Sequence, residues 1–479
     1  MGTTLSVEQA GEALGALVRG ERTDWVTVLQ HEADGLFWRQ ALELSNGRDY
    51  KYALTFLTSV LSKAGTKGHM SLEGITQEEQ VFVRTALRLL GLLVAELHLQ
   101  KNAEMAKDVL WSLEEVQSHK EADTREISTK CADDDEVQSA KETDAISTKP
   151  AGDRATSALA SLLSFDAPPS TQPLAHRLLS ALSELLFSRN FCVDLSVPAR
   201  SETERAHVVA TRCLWQGGVA HKPVRVVQSD MLLRNRCCVL TTLTTVLSEP
   251  VFAPPSDKQQ DWPILTLYAS GELPYTATLF SSLLSCTFRQ KQLSVVEGTF
   301  FRDCCLLIDG LVATKCGKRN VFEVVLSNLK ATSDLEYLVQ GFDVRLGALD
   351  KSAAYFADES PMDATHLVCI LLWKLLSTNE DFFAFFVLHA QAPSIIRRLL
   401  RYAVRTATAC FQASHEKLPD LQNQLLLDRM CLVEFILLLL SSSRDFSVRL
   451  NDQVEVTSDL GFPGSPCCLA DHVLFAIWK

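Results

Sequence analysis

The stretch Val81–Gln100, "VFVRTALRLLGLLVAELHLQ", decides the fold. Its apolar side chains occupy most of a helical circumference, and Arg84, Arg88 and Glu96 are spaced to form one polar stripe. A helix apolar nearly all round has to be covered by other helices on most of its sides. The same reading extends upstream to "DWVTVLQ" (24–30) and "YKYALTFLTSVLSK" (50–63). From about residue 156 the helical signal returns and lasts to the end. Strings of Ser-x-x-Glu mark helix starts at Ser201…Glu204, Ser333…Glu336 and Ser377…Glu380, where Ser and Glu can each satisfy a backbone donor. Proline-bearing segments at 250–263, 271–274 and 359–363 separate the helices, and "KPVRVVQ" (222–228) is the best candidate strand. Many short helices joined by brief loops predict an all-α chain, an irregular armadillo/HEAT-like helical solenoid, with an irregular globular all-α fold as the alternative. No clean 40-residue period can be counted.

One zone breaks the pattern. Residues 114–155 hold 12 acidic against 6 basic residues, half of the whole chain's net charge of −12, and contain no aromatic residue. Within them "EVQSHKEADTREISTK" (115–130) is echoed by "EVQSAKETDAISTK" (136–149). Such a polar string buries too little surface to offset its ordering entropy. It reads as a disordered acidic linker or insertion, a solvated spacer, with an acidic docking motif as the alternative. The chain therefore divides into an N-terminal helical region (1–113), the acidic linker (114–155) and an armadillo-like helical region (156–479).

The acidic balance argues against nucleic acid, whose binding needs clustered Lys and Arg. The 14 cysteines are scattered, without a C-x-x-C, and the vicinal pairs at 237–238, 304–305 and 467–468 lie in or beside apolar stretches. They read as small buried hydrophobes in a reducing compartment, hence a cytosolic address. "LVCILLWKLL" (367–376) and "FILLLL" (435–440) fall short of a membrane span and read as buried helices. Templates for phosphate loops, dinucleotide folds, zincins and nucleophile elbows all fail: "CGKRN" (316–320), "HEADG" (31–35) and "GFPGSPCC" (461–468) each lack essential partners. The 11 histidines have no metal-ligand spacing. The expectation is a protein without catalytic residues, metal or cofactor.

Two C-terminal stretches, "LLWKLLSTNEDFFAFFVLHAQAPSII" (371–396) and "VEFILLLLSSSRDFSVRLN" (433–451), resemble the high-temperature-induced dauer-formation protein family. The motif residues are Trp373, Lys374, Phe382, Phe385, Phe386, Arg444, Phe446, Arg449 and Asn451. Weaker likeness at 34–42, 234–254, 276–285 and 334–346 extends the resemblance over most of 34–479. The dymeclin proteins are distant relatives. The resemblance implies an armadillo-like, N-myristoylated protein held peripherally on Golgi and trans-Golgi membranes, acting with unidentified trafficking proteins in cargo sorting and in vesicle or granule formation. It carries no catalytic residues, and the acidic duplication departs from its pattern. A soluble cytosolic armadillo-type adaptor without membrane contact is the alternative. The family also implies further chain after "LADHVLFAIWK" (469–479), so this chain reads as truncated, with self-association expected through its C-terminus. By residue type the four phenylalanines at 382–386 are core packing, and Arg444 and Arg449 are expected to pair with carboxylates such as Asp445 or Glu434.

The N-terminus "MGTTLS" places Gly2 after the initiator Met and Ser6 where N-myristoylation substrates carry Ser or Thr. Ser6 can equally cap a helix over "VEQAGEALGALVRG", with Gln9 completing a capping box. One myristoyl chain binds a membrane only marginally, and stable anchoring takes a second signal. No Cys precedes Cys131, and Arg19 and Arg22 are outnumbered by Glu8, Glu12, Glu21 and Asp24, so neither a neighbouring palmitoyl group nor a polybasic segment supplies it.

Overall fold

The computed structural model describes residues 6–18, 50–70, 74–99, 109–111, 172–193, 219, 229–252, 262–288, 295–313, 320–352, 364–416, 420–454 and 467–478. Gly2, the element at 34–42, the acidic linker, the Ser201 cap and the strand expected at 222–228 lie outside them. Two compact units are present, one of residues 1–66 and 75–181, the other of 67–74 and 182–479.

In the first unit, α1 (Val7–Val18) starts where the capping box predicts. The backbone N–H of Ser6 donates to Gln9 Oε1 at 3.0 Å, and that of Gln9 donates to Ser6 Oγ at 3.2 Å. After α2 (Tyr50–Met70) comes α3 (Gln77–Leu99), which opens with a second reciprocal box. There the Thr76 N–H donates to Glu79 Oε2 at 3.0 Å. Along α3, Phe82, Leu87, Leu90 and Val94 are fully buried, while Arg84, Arg88 and Glu96 lie on its half-buried side, as the polar stripe predicts.

In chain order α4 (Leu174–Leu185) precedes the second unit's series of helices, which come in sets of three. In each set the middle helix is shorter than both of its partners, and in the first a single turn, Glu249–Phe252, also follows the first helix. The sets are α5 (Asp230–Leu247), α6 (Pro263–Ala269) and α7 (Thr276–Thr287), then α8 (Val295–Ala313), α9 (Val321–Ser327) and α10 (Thr332–Ser352). They continue with α11 (Ala364–Thr378), α12 (Glu380–Leu388) and α13 (Ala392–Glu416), and with α14 (Asp420–Ser441), α15 (Arg444–Arg449) and α16 (Leu469–Trp478). First helices pack on first helices, giving the row α5–α8–α11–α14, and third helices on third helices along α10–α13–α16. This is the nearest-neighbour stacking of an armadillo-like solenoid. The sets begin at residues 230, 295, 364 and 420, so their spacings are 65, 69 and 56 residues, and no constant period exists to be read. A ladder of two short antiparallel strands, β1 (Gln453–Val454) and β2 (Cys467–Cys468), joins α15 to α16 and is the only sheet among the described residues.

Aromatic contacts run along the stack. Tyr268 of α6 and Phe280 of α7 both meet Phe322 of α9, with ring centroids 5.9 and 5.1 Å apart. Phe288, Phe342, Phe382 and Phe386 then form a chain with successive separations of 4.5, 6.3 and 6.0 Å. Gly341 makes this approach possible, because a Cβ there would lie 2.5 Å from that of Phe288.

Two of the expected helix starts are displaced. The helix expected to begin after Ser377 is capped by Asn379, whose side chain accepts from the Phe382 N–H at 2.7 Å. Ser377 instead ends α11, its hydroxyl donating to the Lys374 carbonyl. Ser333 lies inside the first turn of α10, which starts at Thr332, and Glu336 turns away to His389. In both cases a longer-range contact overrides a local capping option.

Candidate functional site: a stapled helix edge and an uncovered stripe

Of the resemblance residues, Phe382, Phe385, Phe386, Phe446 and Arg449 lie on the edge formed by the short helices α9, α12 and α15. A helix leaves its last carbonyls without intrahelical donors, and this edge satisfies them with side chains from the next set. Asn379 Nδ2 donates to the carbonyls of Leu326 (2.6 Å) and Leu329 (2.9 Å) at the end of α9. One set further on, Arg449 Nη1 donates to the carbonyls of Val387 (3.0 Å) and His389 (2.9 Å) at the end of α12, and its Nε lies 3.4 Å from Asp452. Arg449 thus pairs with a nearby carboxylate as expected, but with Asp452 in place of Asp445 or Glu434. Backbone carbonyls at the end of a helix carry partial negative charge and hold the guanidinium in place. Within the α8 set, Asn320 caps α9 and donates to the Leu311 carbonyl at 2.8 Å.

His389 sits at the centre of this edge. Its Nδ1 accepts the Gln391 N–H at 3.2 Å, which leaves Nε2 to donate to Glu336 Oε2 at 2.9 Å. That bond, together with one from Gln340, holds the Glu336 carboxyl below the usual range. The ring of Phe385 lies 5.3 Å from the imidazole.

The other motif residues divide cleanly. Phe382, Phe386 and Phe446 are buried, as core residues should be, and Phe385 is half-buried. Trp373 and Lys374 lie one helix back on α11, with the ammonium 5.0 Å from the indole centroid. Arg444 and Asn451 are exposed and take no part in the cluster.

The seam between α5 and α8 holds a group of buried polar side chains. Asp303 accepts from Thr241 Oγ1 at 3.4 Å and lies 3.8 Å from Arg302. Burial pushes its carboxyl up to about 6. Burial, and then Asp303 itself, pushes the Cys237 thiol up to about 12, and burial drives Cys304 and Cys305 well above their ordinary value. Thiols so held are protonated and poor nucleophiles. Further along α8, both carboxylate oxygens of Asp309 are buried without a hydrogen-bond donor. Burial keeps its carboxyl well above the ordinary value, with the Lys374 charge acting the other way. Among the described residues no three His, Cys, Asp or Glu side chains gather as a metal site, and no helix is long and apolar enough to cross a membrane.

The second feature was not legible in the sequence. "FILLLL" (435–440) lies on α14 but is not buried throughout, which corrects its reading as a wholly buried helix. Val433, Ile436 and Leu440 face the stack and are fully buried, whereas Leu427 (43% exposed), Cys431, Phe435 (59%) and Leu438 (67%) form a stripe open to solvent.

Comparison with known proteins divides most of the chain between two family models. The family model described as high-temperature-induced dauer-formation protein (Hid1) matches residues 54–301, and that of the Dyggve-Melchior-Clausen syndrome protein (Dymeclin) matches 299–462, which includes the stapled edge. "Protein HID1" of Mus musculus is 26% identical over 350 residues, covering 64% of this chain and 42% of its own length. The Homo sapiens protein of that name is 26% identical over 352 residues with the same coverage, and that of Dictyostelium discoideum is 24% identical over 336 residues, 35% of its length. The chain thus spans less than half the length of these relatives. No solved structure matches it.

Proposed function

The chain belongs to the high-temperature-induced dauer-formation (Hid1) protein family, and from this premise we propose that it is a non-enzymatic, N-myristoylated scaffold held peripherally on Golgi and trans-Golgi membranes. There it serves secretory cargo sorting and the formation of vesicles or granules. Membership of the family carries the reading. Two properties of the chain support it. Ser6 stands at the motif's Ser/Thr position and is also the N-cap of α1, which leaves Gly2 four residues ahead of that cap in the sequence. The helical stack, with its carbonyl staples and protonated buried thiols, is built to hold shape and present surfaces.

A single myristoyl group makes this attachment reversible, so a partner has to supply the rest of the affinity. The decisive measurement is fractionation and imaging of the tagged protein against Golgi markers, with Gly2 intact and with Gly2→Ala. The wild type is expected on Golgi membranes and the variant in the soluble fraction. Identical distributions of the two would remove the lipid from the mechanism and favour a soluble armadillo-type adaptor. The open stripe on α14 suits that second reading equally well, since it presents a surface for protein partners.

A further inference from the structure

The row α5–α8–α11–α14 is built from helices with two apolar faces. α8 packs against α5 on one side and α11 on the other, and α11 against α8 and α14. On α14 only one such face is used. Leu432, Val433, Ile436 and Leu440 meet the stack. At 3.6 residues per turn, Leu427, Cys431, Phe435 and Leu438 fall within about 80° of one another on the opposite side. Their i, i+4, i+8, i+11 spacing is the seam that one helix offers to another.

Charge identifies the occupant. Asp428 and Glu434 are both exposed and stand just outside the stripe, one on each flank. No exposed basic side chain of α14 accompanies them: Arg429 is half-buried and lies on the side facing the stack. A second copy docked antiparallel about Cys431 would lay the Asp428 flank along the copy's Asp428 flank and the Glu434 flank along the copy's Glu434 flank, placing like charges together at both rims of an apolar contact. An anionic bilayer surface would meet the same two carboxylates. A helix with cationic flanks meets neither obstacle.

We propose that this stripe docks an amphipathic helix of a partner protein, with an apolar seam at i, i+3 or i+4, and i+7 bordered by Lys or Arg, added as a further member of the row. The inference deepens the scaffold reading by naming the chemistry of a partner, and it rests on that reading only for the claim that such a partner exists.

The test uses the unacylated 479-residue chain, so its outcome is independent of Gly2. A display library of helical peptides, with Leu fixed at the seam and the flanking positions randomised, is selected on the wild type and counter-selected on the Phe435→Asp, Leu438→Asp double variant. Lys and Arg are expected to accumulate at the flanks. A recovered peptide should lose at least about tenfold in affinity on the double variant, and as much on Asp428→Lys, Glu434→Lys. All four positions are exposed, and unchanged thermal unfolding confirms that the variants fold. The proposal fails if no peptide is enriched, or if neutral or acidic flanks are selected. It fails equally if light scattering finds a concentration-dependent dimer that Phe435→Asp abolishes. Binding to phosphatidylcholine–phosphatidylserine vesicles that is lost in the same variant would also overturn it.

Discussion

The helix α12, with four phenylalanines, and α14, with nine leucines, are both strongly apolar, and their sequences invite one reading. They end in opposite situations. On α12, Phe382 and Phe386 are sealed in a chain of rings, with Asn379 at one end of the helix and Arg449 closing the other. On α14, Phe435 is more exposed than buried. Apolar residue type is therefore shared, and what differs is whether a neighbouring helix exists to cover the face. In α12 the aromatic groups serve stability, and in α14 the uncovered ones are free to serve binding.

The largest test of this contrast is Phe382→Ala. Removing a fully buried ring that touches both Phe342 and Phe386 should destabilise the second unit by about 3–5 kcal/mol, measured by chemical denaturation. A loss below about 1 kcal/mol would mean that the chain of rings is not the packing core it looks to be.

A covered seam should also register in pH dependence, as the open face of α14 should not. Asp303 lies in the α5–α8 seam with its carboxyl pushed up to about 6 from an ordinary 3.8. The folded state therefore prefers the protonated acid. Its contribution is fully present below about pH 4 and is lost as pH rises through about 6. Relative to Asp303→Asn, the wild type should lose roughly 3 kcal/mol of stability across that window and stay level above it. Parallel pH profiles of the two proteins would contradict the burial of this carboxylate.

The smallest effect is expected on α14. Phe435→Ala should change stability by no more than about 0.5 kcal/mol, since little covering surface is lost. A cost near that of Phe382→Ala would show that the face is occupied in solution, and the contrast between the two helices would collapse.

Much of the fold was legible in local sequence. The all-round apolar pattern of Val81–Gln100 led to stacked helices, and Ser6 with Gln9 gave the start of α1 to the residue. These features depend on residues within one or two turns of each other. The displaced caps and the Arg449 staple depend on groups 50 or more residues apart, which no spacing rule reaches. For the same reason the stripe on α14 was hidden, because apolar periodicity reports what a helix can bury and not what lies beside it. The three-helix organisation escaped notice because its spacing varies from 56 to 69 residues.

That variation has a consequence of its own. Asn379 and Arg449 each fix a set to the one before it through a few atoms at a helix end, at positions outside the links 353–363 and 417–419 that join one set to the next. Connections can therefore lengthen or shorten while the joints keep their geometry. A lineage built this way can drift widely in sequence and in the length of its links and still inherit the same stack.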